Sequence, residues 1–206
     1  MTDVDRTNPT RTERDSLGER EVPREAHWGI QTQRAVENYP ISGQTLGFEM
    51  VQACATIKLA AAQVHRDLGL LEPEIADAVI QAAREVREGM WRDHFVVDAF
   101  QAGAGTSFHM NVNEVLANRA NEILGHPRGA YRPVNPNDHV NMGQSTNDVF
   151  PTTMRLALLV MLTALSTEIE ALAESFRRKA AEFDGIVKSG RTHLQDAVPV
   201  RLGQEF

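Results

Sequence analysis

Three polar segments of this chain carry side chains that could hold and activate a small anion. They are Gln101-Ala-Gly-Ala-Gly-Thr-Ser107, Gln144-Ser-Thr-Asn-Asp148 and Gly190-Arg-Thr-His-Leu-Gln-Asp196. Their hydroxyls, amides and one imidazole, His193, offer mostly neutral donors. Such a set suits a small dicarboxylate better than a metal or a phosphate, because carboxylates are held by N–H and O–H donors. If a reaction builds further negative charge on that carboxylate, preorganised donors stabilise it as an oxyanion hole does. The second segment closes the polar run from Asn135 to Asp148, and an apolar helical pattern follows directly. A helix N-terminus, with unpaired N–H groups and a partial positive charge, is a natural seat for an anion. The plainer reading is a capped helix, with Asn147 or Asp148 as the cap and Pro151 in the first turn. Two further segments of the same kind favour a site.

Other chemistries find no support. The glycines at 103 and 105 permit close backbone approach, but no Gly-Lys-Ser/Thr follows, so the segment is not a P-loop. There are no paired acids of a glycosidase, no spaced Cys/His ligands and no nucleophile elbow. Asp138-His139 lacks a second ligand at helical spacing, so turn bonding explains it better than a metal. The single cysteine, Cys54, lies on an apolar helical face and reads as a packed thiol. A lone histidine such as His193 is, by itself, more often a hydrogen-bonded surface residue.

The elements that must position these segments are helical. Met50 to Leu68 places Met50, Cys54, Ile57, Ala61, Val64 and Leu68 on one stripe, and Gly69 closes it. Pro73 opens a second helix with Ile75, Val79, Ala82, Val86 and Met90 inward. Asn111 to Leu124 forms a third, ended by Gly125. From Pro151 to about Phe183 the chain has no Gly or further Pro, and a seam runs from Met154 through Leu158, Met161, Leu165, Ile169, Leu172 and Phe176. This helix is roughly 50 Å long at 1.5 Å per residue. Its first half is apolar nearly all round and needs covering on every side. Arg14 to Ser42 shows little periodicity and reads as extended and turn structure.

The bulk properties set outer bounds. The 206 residues carry a net charge of −7, with 42% hydrophobic and 24% charged residues, which fits a soluble globular protein and not a nucleic-acid binder. The strongest apolar run, Leu156 to Leu165, is shorter than the roughly 20 residues of a membrane span. The polar N-terminus is no signal peptide, so a cytoplasmic location is expected. Three regions follow: a disordered tail over 1–14, a helical N-terminal domain over 15–148, and the incomplete start of a helical bundle over 149–206. Arg201 to Phe206 shows no cap or closing helix, which suggests a fragment of something longer.

With these segments arranged around a long helix, the chain resembles the fumarase/aspartase superfamily, in its class II fumarase and aspartate ammonia-lyase branch. The blocks that carry the resemblance include Glu21-Val-Pro23, Gln31-Thr-Gln-Arg-Ala-Val-Glu-Asn38, Met110-Asn-Val-Asn-Glu-Val-Leu-Ala-Asn118 and Gly190-Arg-Thr-His-Leu-Gln-Asp-Ala197. The resemblance implies a mainly α fold, with an N-terminal helical domain followed by the first long helix of a central bundle, here truncated. It implies a homotetramer whose active sites are shared between subunits. A base removes a proton beside one carboxylate to give an aci-carboxylate, and the leaving group departs to yield fumarate. Carried over by position, Thr106, Ser145, Thr146 and Asn147 bind the reacting carboxylate and the amino group. Thr192 and His193 join the site from a neighbouring chain, with His193 in a supporting catalytic role. No metal or cofactor is implied for the chemistry, and activation by Mg²⁺ is left open.

Within the branch, Gln101-Ala-Gly-Ala-Gly-Thr-Ser107, Asn135-Pro-Asn-Asp138 and Ser145-Thr146 are similar to the aspartase form, whereas Gln31-Thr-Gln-Arg34 is at least as similar to fumarases. The implied reaction is therefore loss of ammonia from L-aspartate, with L-malate dehydration as the alternative. His109 stands where the family usually has Asn. The family's catalytic serine lies on a Gly-Ser-Ser loop, and this sequence has no Gly-Ser-Ser. The 206 residues alone are thus expected to be inactive, and also poorly soluble because the apolar faces of the long helix lack partners. An inactive helical assembly protein is the reading from another class. No nucleic-acid or membrane partner is expected.

Overall fold

The computed structural model describes residues 9–206. The chain forms two compact units, one through Leu158 and one from Leu159 to Phe206. The division falls inside a helix, Thr146–Phe183.

The first unit opens with a hairpin of β1 (Thr10–Asp15) and β2 (Gly18–Pro23), antiparallel in register Thr10↔Pro23 to Asp15↔Gly18. Residues 10–14 are therefore ordered strand, which corrects the expected disordered tail there; residues 1–8 lie outside the described residues. The strand is held by long-range bonds that no local pattern announces. Arg11 Nη1 donates to the carbonyls of Pro23, Arg24 and Ala26, and Nη2 to that of Trp28.

Helix α1 (Ile30–Asn38) is a second correction, since Arg14 to Ser42 reads as non-helical. The reason is that α1 has no cap of its own. The buried carboxylate of Glu114 accepts from the N–H groups of Gly29, Gln31 and Thr32 at 2.9, 3.0 and 3.0 Å. A distant acid supplies what the local sequence lacks.

Helices α2 (Phe48–Asp67), α3 (Pro73–Arg87) and α4 (Thr106–Ile123) form the core. α3 buries Val79, Ala82 and Val86 as its spacing predicts, while Met90 is exposed. α2 is rotated from its predicted stripe. Val51, Cys54, Ala55, Lys58, Leu59 and Ala62 are buried, whereas Val64 and Leu68 are exposed. Packing of its alanines against those of α3, together with the inward turn of Lys58, overrides the pattern of large side chains.

α4 is buried around most of its circumference, and its polar residues brace neighbouring loops. Asn111 bonds Val96 N–H and the His94 carbonyl. Asn118 bonds the His27 carbonyl and Gly129 N–H, and Asn121 bonds both backbone groups of Val134. The block from Met110 to Asn118 is thus largely structural.

Helix α5 (Thr146–Phe183) has 38 residues. It starts five residues before Pro151, so that proline lies in the second turn, not the first. Pro lacks an N–H, so the Asn147 carbonyl has no helical donor four residues on. α5 is the one helix among the described residues long and apolar enough to cross a membrane, with a window of mean hydropathy 1.7. The ten-residue run counted in the sequence understates that length. Leu158, Leu159, Val160, Met161, Leu162, Leu165, Ile169 and Leu172 are all exposed in this chain.

In the second unit, α5 is followed by an antiparallel hairpin of β3 (Val187–Thr192) and β4 (Gln195–Arg201). A turn of 3-10 helix, Leu202–Glu205, closes it. Arg201 N–H donates to Gln204 Oε1 at 2.9 Å, and the Phe206 ring lies 5.7 Å from that of Phe183. The final residues therefore have the cap and closing turn that the sequence reading denied them.

Candidate active site

The Gly-rich segment is closed into a loop by Gln101. Its Nε2 donates to the Asp98 carbonyl at 3.0 Å, and its Oε1 accepts from Phe108 N–H at 2.6 Å. Asp98 in turn accepts from the N–H groups of Ser42, Gly43 and Phe100. Burial pushes its carboxyl up, but these donors prevail and hold it at about 2. Gly105 sits at φ +74, and a Cβ there would lie 2.3 Å from the Phe150 ring. Only glycine lets the start of α4 approach the start of α5 so closely.

The two helix starts are joined by side chains as well. His109, buried in the first turns of α4, has its Nδ1 2.7 Å from Thr146 Oγ1. On its other side, His109 Nε2 lies 2.6 Å from Lys58 Nζ. Lys58 also donates to Asn141 Oδ1 at 3.0 Å and Gln144 Oε1 at 2.9 Å. Gln144 Nε2 donates onward to the Val140 carbonyl at 3.0 Å. A fully buried ammonium thus organises the loop that delivers α5.

Thr106, Ser145 and Asn147 are exposed at these helix starts, and Thr146 is half-buried. Thr106 Oγ1 rests on the Gly103 carbonyl at 3.2 Å. Ser145 Oγ accepts from Asn147 N–H at 3.2 Å, so Ser145, not Asn147 or Asp148, is the capping side chain. The structure therefore brings one end of the first predicted segment beside the second.

Thr192 and His193 belong to the second unit. Thr192 pairs with Gln195, so His193 and Leu194 form a two-residue turn at the tip of the β3–β4 hairpin. Leu194 is fully exposed and takes φ +57. His193 is exposed at the same tip.

Asp138-His139 does serve a turn. Asn135 Oδ1 accepts from the N–H groups of Asn137 and Asp138, and Asn135 N–H donates to His139 Nδ1 at 2.8 Å. Among the described residues, no three His, Cys, Asp or Glu side chains gather as metal ligands. Cys54 is buried, and that burial pushes its thiol up, as befits a packed residue.

Sequence reasoning missed Lys58. The available signal was a single cation inside the apolar stretch from Cys54 to Ala62. Burial lowers its ammonium to about 8, still charged at neutral pH. Burial first, and the Lys58 charge second, lower His109 to about 3, so its ring is neutral.

This has a consequence for stability. The unfolded chain protonates His109 near 6.5 and the folded chain only near 3, so between those values the unfolded state binds more protons. The contribution is complete above 6.5 and is lost as pH falls towards 3. His94, lowered to about 4 chiefly by burial, acts in the same direction. At pH 5, His109 alone is expected to cost about 2 kcal/mol relative to pH 7. Denaturant unfolding at both pH values checks this, with His109→Asn expected to lose less on acidification by about that amount. Equal losses in the two proteins would refute it.

The sequence model of the family described as Lyase matches residues 18–206. The class II fumarate hydratase of Halobacterium salinarum is 58% identical over 197 residues, covering 95% of this chain and 42% of that protein. The aspartate ammonia-lyase of Bacillus subtilis is 52% identical over 196 residues, covering 95% of this chain and 41% of that protein. The native-form crystal structure of the fumarate lyase:delta crystallin from Brucella melitensis matches with a TM-score of 0.86 and 50% identity, over 95% of this chain and 46% of that one. The chain thus spans less than half the length of these relatives.

Proposed function

Because the chain belongs to the fumarase/aspartase superfamily of lyases, we propose that it is the N-terminal part of an enzyme that eliminates ammonia from L-aspartate to give fumarate. The observation that carries this reading is the junction of two helix starts, α4 at Thr106 and α5 at Thr146, through the 2.7 Å His109–Thr146 contact. Hydroxyls and N–H groups at that junction present donors and a positive helix end to a dianionic substrate. They hold the carboxylate whose charge grows as the neighbouring proton leaves, so they stabilise the aci-carboxylate more than the substrate. Thr106, Ser145, Thr146 and Asn147 fill this role. The base is supplied by sequence other than these 206 residues, which contain no Gly-Ser-Ser.

The uncovered apolar faces of α5 support assembly with partner helices into a homotetramer, since such a surface is unfavourable in water. An exposed tip bearing Thr192 and His193 suits a contribution to another subunit's site. The enzyme is read as cytoplasmic, free of membrane and nucleic-acid partners, and without a cofactor for the chemistry.

A second reading, class II fumarase acting on L-malate, is favoured by the 58% identity with the halobacterial fumarate hydratase. Gln101 and Asn135, two marks of the aspartase likeness, brace backbone in this structure, which leaves them a weak guide to substrate. The test is fumarate formation, followed by ultraviolet absorbance, from L-aspartate and L-malate separately, by the whole protein. Turnover of aspartate alone supports the ammonia-lyase. Turnover of malate alone makes it a fumarase, and turnover of neither favours an inactive assembly protein. The 206 residues alone are expected to produce no fumarate and to associate; turnover by them would overturn the assignment of the base to other sequence.

A further inference from the structure

We propose that His109 is a positioning residue which, oriented by Lys58, fixes the Thr146 hydroxyl as a hydrogen-bond donor towards a substrate carboxylate oxygen. The proposal rests on the reading of Thr146 as a substrate-binding residue.

The argument is one of donor and acceptor capacity. An ammonium has three N–H donors and no acceptor. Lys58 Nζ has three partners: His109 Nε2, Asn141 Oδ1 and Gln144 Oε1, at 2.6, 3.0 and 2.9 Å. Each must therefore accept. For His109 this places the lone pair on Nε2 and, in a neutral ring, the proton on Nδ1. Nδ1–H then donates to Thr146 Oγ1 across 2.7 Å. The Thr146 oxygen accepts that bond with one of its two lone pairs, and its own proton has no other partner among the described residues. Thr146 is half-buried at the start of α5, so that proton is available to a ligand. A carboxylate can receive it and an ammonium cannot. The direction of the whole chain, from Lys58 through His109 to Thr146, is set by the one group in it that cannot accept.

The alternative polarity would require Nε2–H to face an ammonium at 2.6 Å, which is repulsive. A doubly protonated ring meets the same obstacle, and its neutral state agrees with the low value of about 3. Gly105 at φ +74 holds α4 close enough to α5 for the contact to form.

Two measurements test this. Magic-angle-spinning ¹⁵N spectra of the histidine-labelled protein, with His109 assigned by difference from His109→Asn, are expected to show protonated Nδ1 and bare Nε2 near pH 7. Protonated Nε2, alone or with Nδ1, would overturn the proposal whether or not the protein turns over either substrate. Steady-state kinetics of the whole protein then read the consequence. His109→Asn keeps an acceptor and a donor on one amide and is expected to stay within about threefold of the parent kcat/KM. His109→Leu keeps neither and is expected to lose about tenfold to a hundredfold, mainly in kcat. A Leu variant that folds with unchanged kcat and KM would refute the positioning role. An unaltered protein inactive on both L-aspartate and L-malate would instead refute the functional reading, leaving the spectra to decide the hydrogen-bond direction.

Discussion

Thr146→Val is expected to lower kcat for fumarate formation by the whole protein about a hundredfold or more, while Thr146→Ser stays near the parent. Valine matches threonine in shape but removes the hydroxyl that accepts from His109 Nδ1. A donor aimed at growing charge acts mainly in the transition state, so kcat should fall further than KM rises. The substitution also leaves the His109 N–H without its acceptor in a mostly buried place, which costs about 1–3 kcal/mol of stability. Melting curves must accompany the kinetics, because a folded but slow variant is the predicted result. A valine variant with parent kcat would mean that Thr146 caps the junction and does not touch the reacting carboxylate.

The second large effect concerns folding. Glu114→Ala removes the acceptor of three N–H groups, from Gly29, Gln31 and Thr32. Burying such groups unpaired costs about 1–3 kcal/mol each. Domains of this kind are stable by only about 5–15 kcal/mol, so the variant should be close to unfolding at room temperature. Glu114→Gln keeps one acceptor oxygen and should fall between. Denaturant titrations should give the order parent, Gln, Ala, from most to least stable. Amide exchange should show α1 opening first, as its start depends on this carboxylate. An alanine variant within about 1 kcal/mol of the parent would show that α1 is held by its packing alone.

Local pattern marked four of the five α-helices among the described residues, although α4 begins at Thr106, five residues before the predicted Asn111. α3 keeps its predicted start at Pro73, and α5 follows from a long stretch without glycine. The family was also legible, because its motifs are short strings such as Gly190-Arg-Thr-His-Leu-Gln-Asp196 that need no geometry. Single residues marked the right neighbourhoods: His109, out of pattern before Met110-Asn, turned out to touch Thr146.

Tertiary structure decided what those residues do. Lys58 and His109 are 51 positions apart, and His109 and Thr146 are 37 apart, so no periodicity could pair them. α1 could not be read because its cap, Glu114, lies more than 80 residues downstream. The face of α2 was misread because a buried ammonium is allowed only where three acceptors surround it, and those come from α4 and the loop before α5. Sequence pattern records what a segment prefers by itself. The direction of a hydrogen bond and the worth of a buried charge depend on partners that only folding brings within 3 Å.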